Sequence, residues 1–253
     1  MTPVIKTLRY NGMQFAYTSN HHLLGLAEVC LLDIYHCSAL PPGGLVIDCG
    51  AGIGDYTVLA SKRVSSRGLV LAIEPDPVDF QLLEQNVAAN MCSNVLPVNV
   101  GIGSHRGKRR LTYFGREMSF DVRTLEDVIA DPTCERFRSN PIAAVKLDIE
   151  GFEGEVVAAS LGLFERVERV PIELHGTQPI VDRTLSPLGF RFFPLGRRQA
   201  RRRLLLSVLR HPITASRIYL ATREYQAHTI LELLGGQLTI AEGNDLQVGE
   251  YVR

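Results

Sequence analysis

The chain has none of the features that mark secreted, membrane-spanning or strongly polyanion-binding proteins. Its five cysteines contain no C-x-x-C pair, which argues against both a disulfide framework and a structural zinc site. The formal net charge at pH 7 is zero, so the whole molecule has no field that would attract nucleic acid. No stretch approaches the roughly 18 apolar residues of a membrane-spanning helix, and the first residues lack the apolar core of a signal peptide. We therefore expect a reduced, cytoplasmic protein without stable membrane insertion.

The residues that are present are enough for one globular domain. The 253 residues are 45% hydrophobic, which is ordinary for a protein with a substantial core. Strand-like and helix-like segments alternate along most of the chain, and this pattern predicts an α/β fold with a doubly wound, mostly parallel sheet. We predict a single domain over residues 1–253, with a core at about 40–195, an N-terminal helical segment or lid at 1–39 and a C-terminal extension of uncertain role at 196–253.

The predicted elements follow from hydrophobic periodicity and from cap and turn residues. Asp76 before Pro77 predicts one helix start, and Thr124 with Asp127 predicts another. The first predicted core strand ends at residue 48. The other predicted strands cover residues 69–73, 95–100, 111–123 (a hairpin), 142–149, 167–174 and 188–195, and a closing hairpin is predicted from residues 237–241 and 246–252. The predicted helices cover residues 20–36, 56–63, 77–90, 125–130, 153–161, 204–209 and 219–234.

A glycine-rich turn follows the first predicted core strand. Gly50, Gly52 and Gly54 fall at every second position, which departs from the G-x-G-x-x-G spacing of a dinucleotide site and disfavours an NAD-dependent dehydrogenase. Asp48 ends the strand and Asp55 opens the helix, so the turn carries two carboxylates and is poorly suited to a pyrophosphate. It suits a cationic ligand with an amino-acid moiety better. An ordinary glycine-rich turn between a strand and a helix remains the alternative.

Two further strand ends carry residues that could bind a nucleoside. Glu74 ends the second core strand, where a carboxylate can accept hydrogen bonds from both hydroxyls of a ribose. Asp76 is better explained as the cap of the helix that follows. Gly101 and Ile102 end the third strand, where backbone groups and an apolar side chain could contact an adenine.

The fourth and fifth core strands carry charges where a central parallel strand should be apolar. Period-two alternation places Lys146, Asp148 and Glu150 on one side of the first of them. Glu173 and His175 share one face of the next strand. Because buried unpaired charges are costly, these groups must pair with one another, bind a ligand or lie at the open strand ends. A purely structural ion pair of Lys146 with Glu173 or Asp148 remains an alternative.

Four motifs in this order resemble the FkbM-type family of class I S-adenosylmethionine (SAM)-dependent methyltransferases: Asp-Cys-Gly-Ala-Gly-Ile-Gly, Ile-Glu-Pro, Arg-Thr-Leu-Glu-Asp-Val and Lys-Leu-Asp-Ile-Glu-Gly-Phe-Glu. The resemblance spans about residues 45–176 and implies a Rossmann-like fold, SAM as cofactor and O-methylation of a sugar or natural-product hydroxyl. Many relatives have Asn where Gly52 stands, and nothing after Gly176 matches. The predicted cofactor-binding residues are Asp48, Gly50, Gly52, Gly54, Asp55, Glu74, Gly101 and Ile102.

The implied reaction needs an aligned acceptor oxygen and a group that takes one proton, because the sulfonium methyl is already activated. His175, Asp148 or Glu150 could take the proton, and His175 has the best unperturbed pKa for this role. A polar residue that merely ends a strand is the other interpretation of His175. We predict catalytic roles for Lys146, Asp148, Glu150 and His175, and no metal site. A Mg²⁺ or Mn²⁺ ion held by Asp148, Glu150, Glu173 and His175 is the rival hypothesis.

Residues 197–203 hold five arginines in seven positions. Such a run can grip phosphates of a phosphorylated sugar, a lipid head group or RNA, but it is more often a solvated helix face. We predict that Glu173 and Arg201 contact a small-molecule hydroxyl acceptor, which could be glycosidic or phosphorylated. The alternatives are an RNA ribose methyltransferase and a SAM-binding protein without turnover. No N/D-P-P-Y/F motif of base-amino methylation follows the fourth strand.

Overall fold

A computed structural model describes residues 4–113, 116–137, 142–218 and 246–253. The strands are β1 Lys6–Tyr10, β2 Met13–Tyr17, β3 Gly44–Cys49, β4 Gly68–Ile73, β5 Val95–Val98, β6 Gly101–Ile102, β7 Gly107–Tyr113, β8 Arg116–Arg123, β9 Ile142–Leu147, β10 Arg169–His175, β11 Arg191–Pro194 and β12 Leu246–Val252. The helices are α1 Asn20–Ala27, α2 Asp55–Val64, α3 Pro77–Ala89, α4 Leu125–Ile129, α5 Glu153–Ala159, α6 Leu161–Phe164, α7 Gln178–Leu185 and α8 Arg197–Arg210. A π-helical segment, Glu28–Leu32, continues α1, and short 3₁₀ turns lie at Cys37–Ala39, Ser65–Arg67, Pro132–Phe137 and Ser186–Leu188.

The described residues form a seven-stranded sheet in the order β11-β12-β10-β9-β3-β4-β5. The neighbouring pairs from β10 to β5 are parallel, whereas β12 runs antiparallel to both β10 and β11. This topology confirms the predicted doubly wound, mostly parallel sheet. The chain moves outward from β3 to β5 and then returns to place β9 on the other side of β3. That reversal between β3 and β9 is the switch point at which such sheets bind ligands.

The sheet is covered on both faces because its central strands are apolar on both sides. Val46 and Ala144 belong to one buried cluster, and Leu45, Ile47 and Val145 belong to another. Such near-continuous burial is expected of parallel strands between two helical layers. Among the described residues, none of the helices has both the length and the apolar character needed to cross a bilayer.

Helix starts follow the predicted caps. The Asp76 side chain accepts a hydrogen bond from the Val78 amide at 2.9 Å, and Pro77 occupies the first turn of α3. Thr124 and Asp127 form a reciprocal capping box at α4. Each cap satisfies backbone donors that the first turn of a helix leaves without partners.

The N-terminal segment differs from the prediction of a single helix over residues 20–36. The hairpin β1–β2 precedes α1, and the helix ends at Leu32 because Asp33 adopts a left-handed backbone with φ of 51°. β2 is held on α3 by Asn86, whose Oδ1 accepts from the Ala16 amide at 2.6 Å and whose Nδ2 donates to the Ala16 carbonyl oxygen at 3.0 Å. The turn between the two strands is Asn11-Gly12, with φ values of 47° and 78°, which is a local hairpin signal that the prediction of the N-terminal segment did not use.

The fourth core strand also ends earlier than predicted. β9 stops at Leu147 rather than at residue 149, because Glu150 and Gly151 have positive φ values of 55° and 96°. The chain therefore turns away from the sheet directly after Asp148. The predicted helix at 219–234 and the first arm of the hairpin, at 237–241, lie outside the described residues.

The N-terminal segment contacts helix α8 of the C-terminal extension. Ser207 Oγ of α8 donates to the Leu31 carbonyl oxygen at 2.7 Å, and Arg203 Nη1 donates to the Asp33 carbonyl oxygen at 2.6 Å. β12, from the last residues of the chain, lies inside the central sheet between β10 and β11. The C-terminal extension thus helps to hold the N-terminal segment against the core.

Candidate active site

A cavity of about 350 Å³ opens at the carboxyl ends of the central strands. Its size is in the range of about 300–1,000 Å³ that is typical of small-molecule sites. Three groups of residues line it. The ends of the core strands contribute Gly50, Gly52, Asp55, Glu74, Gly101, Ile102, Lys146, Asp148, Glu150 and Glu173. The hairpin β7–β8 contributes Arg109, Leu111, Met118 and Phe120, and the N-terminal segment contributes His21, His22, Glu28 and Tyr35.

The glycine-rich turn after β3 is tightly constrained. A Cβ on Gly50, whose φ is 75°, would lie 1.8 Å from the Asp148 carbonyl oxygen, so the two strand ends cross too closely for a side chain. Lys146 Nζ donates to the Gly50 carbonyl oxygen at 2.6 Å, and this hydrogen bond fixes the turn to β9. Gly54 does not line the cavity. It packs against α3 instead, where a Cβ would lie 2.6 Å from Leu83 Cδ1.

The ammonium group of Lys146 pairs with carboxylates at the ends of two neighbouring strands, β3 and β9. Its Nζ lies 3.3 Å from Asp48 Oδ1 and 3.5 Å from Asp148 Oδ2. Burial opposes the charged form, yet these carboxylates raise the pKa of Lys146 above its ordinary value. Asp48 is fully buried behind the turn, where it accepts from Thr57 Oγ1 at 2.5 Å, and it does not line the cavity. Asp48 can therefore influence the cavity only through its ion pair with Lys146, which does line it.

Glu74 lies where a ribose-binding carboxylate is expected. Its Oε2 accepts from the Gly52 amide and its Oε1 from the Asp76 amide, both at 2.7 Å. These two bonds fix the carboxylate at the cavity wall and leave lone pairs on both oxygens for a ligand. Asp76 caps α3 and also pairs with Arg116 of β8, which ties the hairpin to this wall.

The wall beyond Glu74 is apolar. Ile102, Met118 and Phe120 line it, and Gly101 is required there because a Cβ would lie 2.4 Å from Phe120 Cε2. Arg109 lies over the Phe152 ring, 4.4 Å from its centre, and pairs with Glu155 of α5. This part of the cavity offers flat apolar surfaces and backbone groups to a planar ring.

The acidic part of the cavity contains a phenol between two carboxylates. Tyr35 Oη lies 2.9 Å from Asp148 Oδ2 and 2.8 Å from Glu173 Oε2. A phenol has one hydrogen, so it can donate to only one of them, and the second contact needs a proton on a carboxyl. Burial and the charge of Asp148 raise the pKa of Glu173 to about 7, which places that proton on Glu173. Nothing in the local sequence indicates Tyr35, because it reaches these groups from the N-terminal segment.

His175 lies at the edge of the same cluster. Its Nδ1 lies 3.0 Å from Glu153 Oε1, and its Nε2 lies 3.6 Å from Glu150 Oε2 and 3.8 Å from Glu173 Oε1. Although burial lowers it, the hydrogen bond to Glu153 and the surrounding carboxylates raise the pKa of His175 to about 9. The imidazole therefore carries two protons at neutral pH. Glu153 was not among the predicted site residues.

The structure brings most of the predicted catalytic groups together. Asp148, Glu173 and His175 each place one ligand atom within 4.8 Å of the others, an arrangement that could hold a divalent ion. Glu150 is outside that set, although it lines the cavity. The side chain of Arg201 lies outside the described residues.

Helix α1 and the π-helical segment close the cavity from the N-terminal side. His22 Nε2 lies 3.2 Å from Asp79 Oδ1 of α3, which joins the segment to the core. Glu28 lines the cavity, and burial together with the charges of Glu173 and Asp148 raises its pKa to about 8. The hydrophobic periodicity of the sequence predicts that Glu28 lies on a helix and says nothing about the site. Only the folded structure shows that Glu28 lines the cavity.

Comparison with known proteins gives matches to methyltransferases. Residues 48–192 match the model of the methyltransferase FkbM domain. Methyltransferase sdnD of Sordaria araneosa is 37% identical over 88 residues, which cover 34% of this chain and 34% of that protein. Methyltransferase 1 of Beauveria bassiana is 23% identical over 164 residues, which cover 51% of this chain and 64% of that protein. The chain thus spans less than two thirds of the length of either relative.

Solved structures also resemble the chain, at low identity. The TYW2 protein of M. jannaschii in complex with AdoMet has a TM-score of 0.41 and 16% identity, with coverage of 76% of this chain and 77% of that one. The TYW2 protein of P. horikoshii in complex with MeSAdo has a TM-score of 0.46 and 14% identity, with coverage of 77% and 64%. Since the family model covers more than half of the chain, the predicted resemblance is confirmed, and this chain belongs to the FkbM family of SAM-dependent methyltransferases.

Proposed function

We propose that the chain transfers a methyl group from SAM to a hydroxyl group of a small-molecule acceptor. One observation carries the proposal: the Asp148–Tyr35–Glu173 group, which holds a proton between two carboxyls, opens into the same cavity as the glycine-rich turn and Glu74. A group that can take a proton near neutral pH therefore lies beside a nucleoside-type site.

The cavity has suitable residues for each part of SAM. The Glu74 oxygens are placed to accept from ribose hydroxyls, and the carbonyl oxygens of Gly50 and Gly52 can accept from the ammonium group of the methionine moiety. Ile102 and Phe120 provide apolar contact for the adenine. The surplus of carboxylates suits a ligand that carries a sulfonium and an ammonium group.

The chain's own residues manage the proton of the acceptor. When bound, SAM would supply a methyl group activated by its positively charged sulfur, and the products would be the methyl ether of the acceptor and S-adenosylhomocysteine. Glu173, in its ionised form, takes the proton that the hydroxyl loses. Tyr35 orients Glu173 against Asp148, and Lys146 together with the protonated His175 limits the repulsion between the carboxylates. We thus give the role of base to Glu173 instead of His175, because the His175 ring already carries its second proton.

A divalent ion at Asp148, Glu173 and His175 is the second candidate for this part of the site. The closeness of their ligand atoms favours it. A metal ion there would lower the pKa of a coordinated hydroxyl and replace Glu173 as the agent of deprotonation. The ion would also require His175 to give up its second proton.

The arginine run offers less support for an RNA substrate. Arg203 donates to the carbonyl oxygens of Leu32 and Asp33, so one of the five arginines is used to hold the N-terminal segment. Arg202 is exposed on α8. A structural role of the arginine run therefore explains the position of Arg203. The N-terminal segment lines one side of the cavity, which suits a small acceptor.

Transfer of an isotope-labelled methyl group tests the proposed function. We expect labelled ether products when the protein and labelled SAM are mixed with pools of hydroxylated sugars and natural products, and no label in RNA. Chelator-treated protein should retain the activity, whereas loss on chelation and recovery with Mg²⁺ would assign the metal route. Label in RNA, with a rate that falls as salt rises, would contradict the small-molecule acceptor. Tight SAM binding without transfer to any pool would support the binding-only alternative.

A further inference from the structure

The acceptor side of the cavity is lined by more carboxyl groups than cations. The carboxyl groups reach it from the N-terminal segment, from α2 and from the ends of β9 and β10: Glu28, Asp55, Asp148, Glu150 and Glu173. The Lys146 ammonium is already engaged by Asp48, Asp148 and the Gly50 carbonyl oxygen. The His175 imidazolium faces Glu150, Glu153 and Glu173. SAM, with two positive groups and one carboxylate, contributes a net charge of only about +1.

Glu28 differs from the other four because the described charged groups that act on it most are all acidic, whereas Lys146 acts on Asp55, Glu150 and Glu173 and pairs with Asp148. Its backbone carbonyl closes the π-helical turn, while its side chain lines the cavity with no hydrogen bond or ion pair to the described residues. The charged groups that act on it most are Glu173, Asp148 and Asp55, which are all carboxylates. Burial and these neighbours raise its pKa to about 8, because none of the groups that act on it offsets the negative charge of the ionised form. A partly buried carboxylate at a cavity wall is stabilised when a ligand supplies the opposite charge.

We infer that the acceptor carries a positively charged amino group, which pairs with the Glu28 carboxylate while the reacting hydroxyl lies at Asp148 and Glu173. The inference rests on the proposed function and narrows its substrate class to amino alcohols and amino sugars. An ammonium group supplies both the charge and up to three hydrogen-bond donors, which a cluster of carboxylates can accept. A phosphate on the acceptor would instead add like charge to the same enclosure. The position of Glu28 on the N-terminal segment makes that segment part of the acceptor site.

Matched sugar probes test this inference without turnover. Protein saturated with S-adenosylhomocysteine is titrated with glucosamine, glucose and N-acetylglucosamine, which share a ring and differ in the charged amine. We expect glucosamine to bind at least about tenfold more tightly than the two neutral sugars, since tenfold corresponds to about 1.4 kcal/mol. Glu28→Gln, which keeps the size of the side chain, should reduce that preference to less than about twofold. Glu84→Gln, an exposed position on α3, is the control and should retain the preference.

Several outcomes would overturn the inference. They are equal affinity for the three sugars, a preference that persists in Glu28→Gln, or a preference that appears only with Mg²⁺ present, which would make the required cation a metal. Weaker binding of S-adenosylhomocysteine to Glu28→Gln, with sugar selection unchanged, would assign Glu28 to the cofactor. The proposed function fails separately, when the unmodified protein binds no S-adenosylhomocysteine. If the protein binds S-adenosylhomocysteine but does not prefer glucosamine, this inference fails and the proposed function stands.

Discussion

Replacing Glu173 by glutamine lowers kcat by about 10²–10⁴-fold, the usual contribution of a positioned proton acceptor. Glutamine has nearly the same shape and can still accept from Tyr35 Oη, so the fold and the affinity for SAM should be retained. The measurement is steady-state methyl transfer by the variant and the unmodified protein, with SAM affinity determined on both. Glu84→Gln, on the exposed side of α3, serves as the matched control.

The pH profile separates a role in proton transfer from a merely structural one. The pKa of Glu173 is about 7, so its carboxyl is protonated below that pH and cannot accept a proton. We therefore expect kcat/KM of the unmodified protein to rise about tenfold per pH unit up to about pH 7 and then to level off. A Glu173→Gln variant with an unchanged rate, or with the same acidic limb, would contradict the assignment of Glu173.

Replacing Lys146 by methionine should have the largest effect on stability. The change leaves the fully buried Asp48 carboxylate with Thr57 as its hydrogen-bond donor and removes the bond to Gly50. Removal of one partner from a buried ion pair typically costs about 3–5 kcal/mol, because the other charge remains enclosed. Urea unfolding of the variant should therefore show a free energy of unfolding lower by that amount.

Two comparisons test the origin of that loss. Lys108→Met removes a lysine whose ion pair with Asp121 is solvent-exposed, and it should change the unfolding free energy much less. The double variant Asp48→Asn with Lys146→Met removes the fully buried Asp48 charge together with its partner, so it should be more stable than Lys146→Met alone. A loss from Lys146→Met no greater than that from Lys108→Met would show that the buried pair is not what holds the turn.

The sequence was most informative where the relevant contacts are local or periodic. The cap at Asp76, the capping box at Thr124 and the alternation of strands and helices depend on neighbouring residues, and the structure contains them all. Glu74 could be placed because the end of a parallel strand in such a sheet has a known relation to the ligand crevice. Lys146 and Asp148 stood out because charges are costly in a central strand.

The rest of the site depends on contacts between distant parts of the chain. Tyr35 and Glu28 enter the cavity only because the N-terminal segment folds over it. The pKa of His175 depends on Glu153, which lies 22 residues earlier in the chain, so the ordinary pKa of histidine was a poor guide. Alternation also failed at Glu150, whose left-handed backbone takes the chain out of the strand. The missing information was tertiary for Tyr35, Glu28 and His175, whereas at Glu150 it was a local turn with Gly151.

Calorimetric titration with SAM tests the central claim most directly. We predict that the purified protein binds one SAM per chain and does not bind NADH. Glu74→Gln, whose side chain has only one carbonyl oxygen to share between the backbone amides and the ribose, should bind SAM at least about tenfold more weakly. Its thermal unfolding should be compared with that of Glu84→Gln to verify that the fold is intact. Absence of SAM binding by the unmodified protein, or equal affinity for NADH, would contradict the account.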